Sequence, residues 1–168
     1  MLQVPTDEVF YFFSLTCLTA PFMGVIFGGL LFSSLGGYNS PRSFRGVLVV
    51  SIIGLFSAIP IPLVSNRYLV YLLVWITLFV GSFILPTMTG IMLNSVDQSW
   101  KPTANSLATL SYNLFGFLPA PFIYGLVSSM GKNEIFSSRC AMGCLMSATI
   151  ITASLLVLGY RYKQKLSA

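Results

Sequence analysis

The chain has 168 residues, of which 55% are hydrophobic and only 8% are charged. Because soluble domains carry about 25% charged residues, this sequence has too few charged side chains to cover a water-facing surface. The composition excludes a water-soluble globule and a disordered chain, and the nine basic residues form no patch dense enough to follow nucleic-acid phosphates. The sequence therefore predicts an integral membrane protein whose surroundings are the lipid bilayer, with no nucleic-acid partner.

The ionisable residues separate five long uncharged blocks. A helix needs about 20 predominantly apolar residues to cross about 30 Å of hydrocarbon, and each block is long enough. We predict an all-α, polytopic membrane protein of about five transmembrane helices. The chain, residues 1–168, is predicted to form a single membrane domain with spans at about 9–33, 46–64, 69–93, 104–129 and 140–160 and a tail at 161–168.

The basic residues are distributed unevenly between the two predicted ends of the bundle. One end has three, Arg67, Lys132 and Arg139. The other end has six, Arg42, Arg45, Lys101, Arg161, Lys163 and Lys165. Because Lys and Arg are enriched in cytoplasmic loops, we predict a cytoplasmic C-terminus and a multi-pass orientation with the N-terminus on the other side. Since no basic n-region precedes the first span, we expect no signal peptide there, and we expect the chain to be the back part of a longer protein.

The sequence offers few residues for catalysis or metal binding. It has no histidine, and no acidic residue lies within a predicted span, so metalloprotease sites, carboxylate dyads and intramembrane proton relays lack their side chains. Cys140 and Cys144 lie one helical turn apart and Cys17 lies in another span, which makes a poor metal site. We expect no enzyme, no catalytic residue, no metal and no cofactor.

The first span contains a stripe of small residues. Ala20, Gly24 and Gly28 recur every four residues, and Gly29 lies beside the last of them. Because van der Waals contact drives helix association in lipid, such a stripe predicts the close approach of another helix.

Several prolines lie inside the predicted spans. A proline in a helix interior removes one backbone hydrogen bond and commonly bends the helix. We predict helix kinks at Pro21, Pro86, Pro119 and Pro121.

The fourth span has one polar face and one leucine face. On a regular helix, six small or polar residues share a stripe about 100° wide, namely Asn105, Thr109, Tyr112, Asn113, Gly116 and Ala120. Four leucines take the opposite side, at positions 107, 110, 114 and 118. The stripe favours a substrate cavity lined by Thr109, Tyr112, Asn113 and Gly116. Hydrogen bonding between helices is the alternative interpretation.

Three sequence segments resemble one transporter family. Gly29, Leu31, Ser33 and Gly36 match the spacing of its loop signature, Gly-x-Leu-x-Asp-x-x-Gly-Arg, with Ser33 in the acidic position and Gly37 in the basic one. The segment 97–105 resembles the cytoplasmic turn before the family's eleventh helix, and the run 112–125 is similar to spinster-like and organic-anion carriers. The chain thus resembles the last five helices of a major facilitator superfamily transporter.

The resemblance implies part of a secondary transporter that moves a small organic or lipid-like solute by alternating access. It also implies that the seventh helix and the N-terminal half are supplied by a missing part or a second subunit, so that this chain is a fragment not competent to transport alone. The absence of charge on the cavity face favours a neutral or amphiphilic solute, or recognition of a charged solute by the missing half. The alternative is a non-transporting membrane scaffold or assembly subunit.

Overall fold

The computed structural model describes residues 5–37, 40–131 and 133–166. These residues form helices and connecting turns and contain no strand. The helices are α1 (Thr6–Ser34), α2 (Pro41–Ala58), α3 (Arg67–Asn94), α4 (Lys101–Tyr112), α5 (Pro119–Ser129) and α6 (Glu134–Leu166). A 3-10 turn, Gln98–Trp100, precedes α4, and a π-helical segment, Asn113–Phe117, joins α4 to α5.

Four helical stretches in the described part of the chain are long and apolar enough to cross a membrane. They are Asp7–Ser34, Arg67–Asn94, Gln98–Ser129 and Ile135–Gly159. The all-helical, multi-pass architecture predicted from the sequence is therefore present. The second predicted span is not among these four stretches; the helix at this place, α2, has 18 residues.

The ends of α2 differ from the predicted range 46–64. The helix begins earlier because Ser40 accepts a hydrogen bond from the backbone N–H of Arg42 at 3.2 Å, and Pro41 suits the first helical turn. It ends at Ala58 because Pro60, two residues further on, has no N–H to continue the helical bonding. The remaining residues of the predicted span form turns instead.

The C-terminus of α1 is closed by two glycines. Gly36 and Gly37 have φ angles of 96° and 79°, which lie in the left-handed region that favours glycine. The N–H of Gly37 donates to the carbonyl of Phe32 at 3.2 Å, and the N–H of Gly36 donates to Ser33 at 3.4 Å. This pair of bonds is a Schellman motif, so both glycines have a structural role at the end of the helix.

The α6 helix extends past the predicted end of the fifth span at residue 160. It continues to Leu166, so most of the predicted tail is helical. The last two residues of the chain lie outside the described residues.

Contacts between helices follow a definite order. Helix α1 packs along α3, α2 packs against both α3 and α6, and α5 packs against α6. A small core cluster of Phe32, Val47 and Phe83 joins α1, α2 and α3. Among the long helices, α4 packs mainly against α3, and no described residue of α4 is buried.

Helices α1 and α3 run in the same direction and are joined along most of their length. Glu8 forms an ion pair with Arg67 at 3.2 Å near the beginning of both helices. Further along, the ring of Phe12 stacks on Tyr71 with centroids 4.7 Å apart. The indole N–H of Trp75 then donates to Thr19 at 2.9 Å. This sequence of contacts makes α1 and α3 one tightly packed pair.

Candidate binding cavity

Two adjoining cavities lie between α3 and the α4–π segment. The first has a volume of about 610 Å³ and is lined by Thr77, Leu78, Gly81, Ser82, Leu85, Tyr112, Gly116 and Phe117. The second has a volume of about 430 Å³ and is lined by Leu85, Met88, Thr89, Met92, Asn105, Ala108, Thr109 and Tyr112. We call them the paired cavities, since Leu85 and Tyr112 line both of them.

Sparse packing between the two helices creates this space. A methyl group placed on Gly81 or Gly116 would have no other atom within 4 Å. Tyr112, which borders both cavities, is 46% exposed. The cavities therefore form an open wall of the bundle, which is accessible from one side.

The lining of the paired cavities is uncharged. Hydroxyl groups come from both helices, and Asn105 adds an amide. The rings of Tyr112 and Phe117 meet edge to face with centroids 6.2 Å apart. The hydroxyl hydrogen of Thr77 is already used in the helix, since it is donated to the carbonyl of Leu73 at 2.8 Å. The cavities thus combine apolar and aromatic walls with a few hydrogen-bonding groups, as small-molecule sites do.

Three of the four residues predicted for the cavity line it. Tyr112 borders both cavities, Gly116 the first and Thr109 the second. Asn113 lines neither, and its side-chain amide donates to the carbonyl of Thr109, one turn earlier, at 2.8 Å. The backbone N–H of Asn113 also bonds to the carbonyl of Thr109, so the helix is still α-helical up to this residue. The amide of Asn113 is therefore used within its own helix.

The α3 side of the cavities was not predicted from the sequence. Thr77, Gly81 and Thr89 lie at intervals of four and eight residues along α3, with Leu85 between the last two, and this spacing was a usable signal. The strongly apolar character of the third span concealed it.

The small-residue stripe of α1 faces α3. Ala20 is fully buried. A methyl group added to Gly24 would lie 2.5 Å from the carbonyl oxygen of Phe79, and one added to Gly28 would collide with the carbonyl of Phe83. Gly29 differs, because a methyl group there would have no other atom within 4 Å.

The remaining predicted residues are the loop-motif serine and the prolines, which lie in or next to α1, α3 and α5. Ser33 is exposed near the end of α1, two residues before the turn that contains Gly36. Pro21 and Pro86 lie inside α1 and α3, and both helices continue past them. Pro119 begins α5, immediately after the π-helical segment and Leu118.

Residues that could hold a metal are sparse in this fold. The described residues contain no group of three or more His, Cys, Asp or Glu side chains close enough to hold a metal ion. The cysteines, which are free and exposed, are Cys17, Cys140 and Cys144.

Comparisons with family models, with curated proteins and with solved structures find no match for this chain. The class of protein rests on its own helices, which are those of a multi-pass membrane protein. The resemblance to a transporter family stays a prediction from the sequence motifs.

Proposed function

We propose that the chain is part of a secondary membrane transporter of the major facilitator type. In this proposal the paired cavities line the route of a small organic or lipid-like solute. The observation that carries the proposal is the uncharged, partly polar space between α3 and α4. Hydroxyl and amide groups inside a membrane face a protein interior or a watery cavity rather than lipid, which supports a pathway on this side of the bundle.

Alternating access needs two bodies that move around a site between them. The described helices supply one wall of such a site, and the exposure of Tyr112 leaves the wall open to a facing partner. We infer that the facing wall is an N-terminal half or a second subunit. In this arrangement the end of the bundle that includes Arg42, Arg45 and Lys101 faces the cytoplasm.

The lining indicates the kind of solute. Among the residues that the structure describes, no lysine, arginine, aspartate or glutamate borders the paired cavities, so the described part of this wall provides no counter-ion for a charged solute. Leu78, Leu85 and Phe117 provide apolar contact area, while Thr109 and Tyr112 provide hydrogen bonds. A neutral or amphiphilic organic molecule fits this chemistry best.

A scaffold or assembly subunit is the second candidate. It is favoured by polar groups whose bonds are satisfied within the bundle, such as the amide of Asn113 and the hydroxyl groups of Ser57 and Thr77, which lie 3.2 Å apart. A scaffold needs no water in the paired cavities, whereas a transporter does.

Thiol labelling distinguishes the two candidates. In a background with the three native cysteines replaced by alanine, Thr109→Cys and Gly116→Cys would be compared with Leu110→Cys and Leu114→Cys. For a transporter, a small water-soluble thiol reagent should label the first two variants at least about tenfold faster than the leucine-face controls, since only they border an aqueous space. Equal, slow labelling of all four variants would favour the scaffold.

Transport itself is tested at Tyr112. We expect Tyr112→Ala to lower the uptake of labelled neutral amphiphiles about tenfold, because this side chain borders both cavities. Uptake should be normalised to folded protein in cells that express the intact assembly. Asn113→Ala is the matched control, which we expect to lower the amount of folded protein more than the normalised uptake. An Asn113→Ala effect as large as that of Tyr112→Ala would contradict the assignment of the lining.

A further inference from the structure

A separate pocket of about 190 Å³ lies on the flank of the bundle where α5 meets α6. We call it the Arg139 pocket. Its polar residues are Tyr124, Ser138 and Arg139, and its apolar walls include Ile61, Val70 and Met142. It shares no residue with the paired cavities and has no place in the transport route proposed above.

The arginine in this pocket bonds to a neutral group. Its guanidinium donates to the hydroxyl of Ser65 at 3.2 Å, although a guanidinium has five N–H donors. No carboxylate lies within 4.0 Å of Arg139 among the described side chains. Arg67 at the same end of the bundle differs, because it forms an ion pair with Glu8 at 3.2 Å. Of these two arginines, Arg139 is therefore the one left to meet an anion.

Two hydroxyl groups lie in the same pocket. The hydroxyl of Tyr124 and that of Ser138 are 2.6 Å apart and hydrogen-bonded to each other. One hydrogen of this pair lies between the two oxygens, and the other hydroxyl is left to donate outward. Ser138 directly precedes Arg139 on α6, so the pocket brings a guanidinium and a hydroxyl donor together.

The position of the pocket points to lipid. Arg139 lies in the second turn of α6, and Ser65, its partner, directly precedes the cap of α3. Both residues thus lie at the ends of helices that are long enough to cross a membrane. The ends of such helices lie at the depth of the phospholipid headgroups. The apolar wall of the pocket lies next to these polar groups and includes Ile61, Val70 and Met142.

We infer that the Arg139 pocket binds the phosphate group of an anionic phospholipid. The planar guanidinium suits the oxygen atoms of a phosphate, and charge-assisted bonds of this kind are the strong ones. The Tyr124–Ser138 pair donates a further hydrogen bond to the phosphate. An acyl chain of the same lipid lies along Ile61, Val70 and Met142.

Native mass spectrometry tests the inference. The sample is the purified full-length chain, together with any subunit that co-purifies with it. Phosphatidylglycerol and phosphatidylcholine would be added at equal concentration, with thermal unfolding as the second readout. The parent should retain phosphatidylglycerol preferentially and be stabilised by it. Arg139→Gln should weaken the apparent affinity for phosphatidylglycerol at least about tenfold, since it removes the charge-assisted bonds. Unchanged affinity in a folded Arg139→Gln protein would overturn the inference.

Control variants distinguish a lipid site from a diffuse charge effect and from a free-anion site. Arg67→Gln removes the same charge at the same end of the bundle, and it should keep the preference for phosphatidylglycerol, because Arg67 is already paired. Loss of the preference in both variants would indicate a diffuse charge effect and overturn the site.

Inorganic phosphate should leave thermal unfolding unchanged. If phosphate stabilises the parent but not Arg139→Gln, the pocket is a free-anion site and the lipid inference is overturned. Should Arg139→Gln not fold, Arg139→Lys keeps the charge but loses the planar fork, and unchanged binding by that variant would also overturn the inference.

Discussion

Gly28 and Gly29 are neighbours in α1 with opposite surroundings. Gly28 lies against the backbone of α3, where its missing side chain lets the two helices touch. A methyl group added to Gly29 would meet no other atom within 4 Å. The two positions have the same intrinsic helix propensity, so substitutions at both separate the effect of helix contact from that of the residue type.

We expect Gly28→Ala and Gly29→Ala to change stability in opposite directions. The added methyl group at position 28 collides with the carbonyl of Phe83, and such overpacking typically costs about 1–3 kcal/mol. The methyl group at position 29 meets nothing, and alanine favours a helix over glycine by about 0.5–1 kcal/mol. Thermal unfolding of the purified variants in the same detergent measures both changes. A destabilised Gly29→Ala, or a Gly28→Ala as stable as the parent, would contradict the helix contact.

Sequence spacing predicted which residues share a helix face but not what each of them contacts. The interval of four residues predicted a stripe containing Ala20, Gly24 and Gly28, and these residues face α3. It did not distinguish Gly29, because adjacent residues on a helix are only about 100° apart. The same reasoning placed Asn113 beside Tyr112 on the cavity face, but the amide of Asn113 bonds to the carbonyl of Thr109 and the residue lines neither cavity.

The π-helical segment has a cause in the element that follows it. Pro119 and Pro121 have no N–H, so an α-helix through this region would leave the carbonyls of Phe115 and Phe117 without donors. The chain instead widens, and the N–H of Leu118 donates to the carbonyl of Asn113 at 3.0 Å, five residues back. Single prolines in α1 and α3 have no such segment around them.

Restoring the two donors should make the helix regular. In Pro119→Ala/Pro121→Ala the new N–H groups are expected to bond to the carbonyls of Phe115 and Phe117, which favours α-helical turns across residues 113–121. Hydrogen exchange followed by mass spectrometry should then show at least about tenfold slower exchange of the amides in this segment. Pro86→Ala in α3 is the control, and we expect a smaller change there. Unchanged exchange in the double variant would mean that the prolines are not the cause of the π-helical segment.

The helix boundaries were predicted best where charged residues mark them. The start of α3 at Arg67 and the end of α1 near residue 34 lie within a few residues of the predicted limits, because charged side chains and glycine turns both favour the water-facing ends of spans. The end of α2 was placed six residues too late. Hydropathy continues through the segment 59–64 although Pro60 and Pro62 prevent a helix there.

At the scale of the whole molecule, the bundle has one closely packed side and one open side. On the packed side, α1 and α3 share an ion pair, stacked rings and glycine contacts. On the open side, α4 leaves the paired cavities between itself and α3. The glycine stripe predicted a close contact for α1 but not its partner helix, because the apolar residues that face lipid and those that face a neighbouring helix have the same composition in a membrane protein.

The two ends of the molecule also differ, and the difference predicts its orientation. Contacts between Glu8 and Arg67 and between Ser65 and Arg139 bring together the helix ends that have few basic residues. At the opposite end, Gly159 of α6 lies against the ring of Phe44 in α2, close to Arg45. Arg67 and Arg139 thus lie at one end of the helices and Arg45 at the other, and the larger number of basic residues at the second end predicts that it faces the cytoplasm.

We expect the loop between α5 and α6 to face away from the cytoplasm and the turn before α4 to face it. Met130, which is 78% exposed, and Ser99, in the 3-10 turn, lie at opposite ends of the α4–α5 stretch. With the native cysteines replaced, an impermeant maleimide should label Met130→Cys in intact cells or sealed vesicles of cytoplasm-in orientation. Ser99→Cys should react only after permeabilisation. The reverse labelling pattern would mean that the protein has the opposite orientation, with the end that has six basic residues outside the cytoplasm. Equal labelling of both positions before permeabilisation would contradict a membrane crossing by α4 and α5, because one crossing separates the two sites.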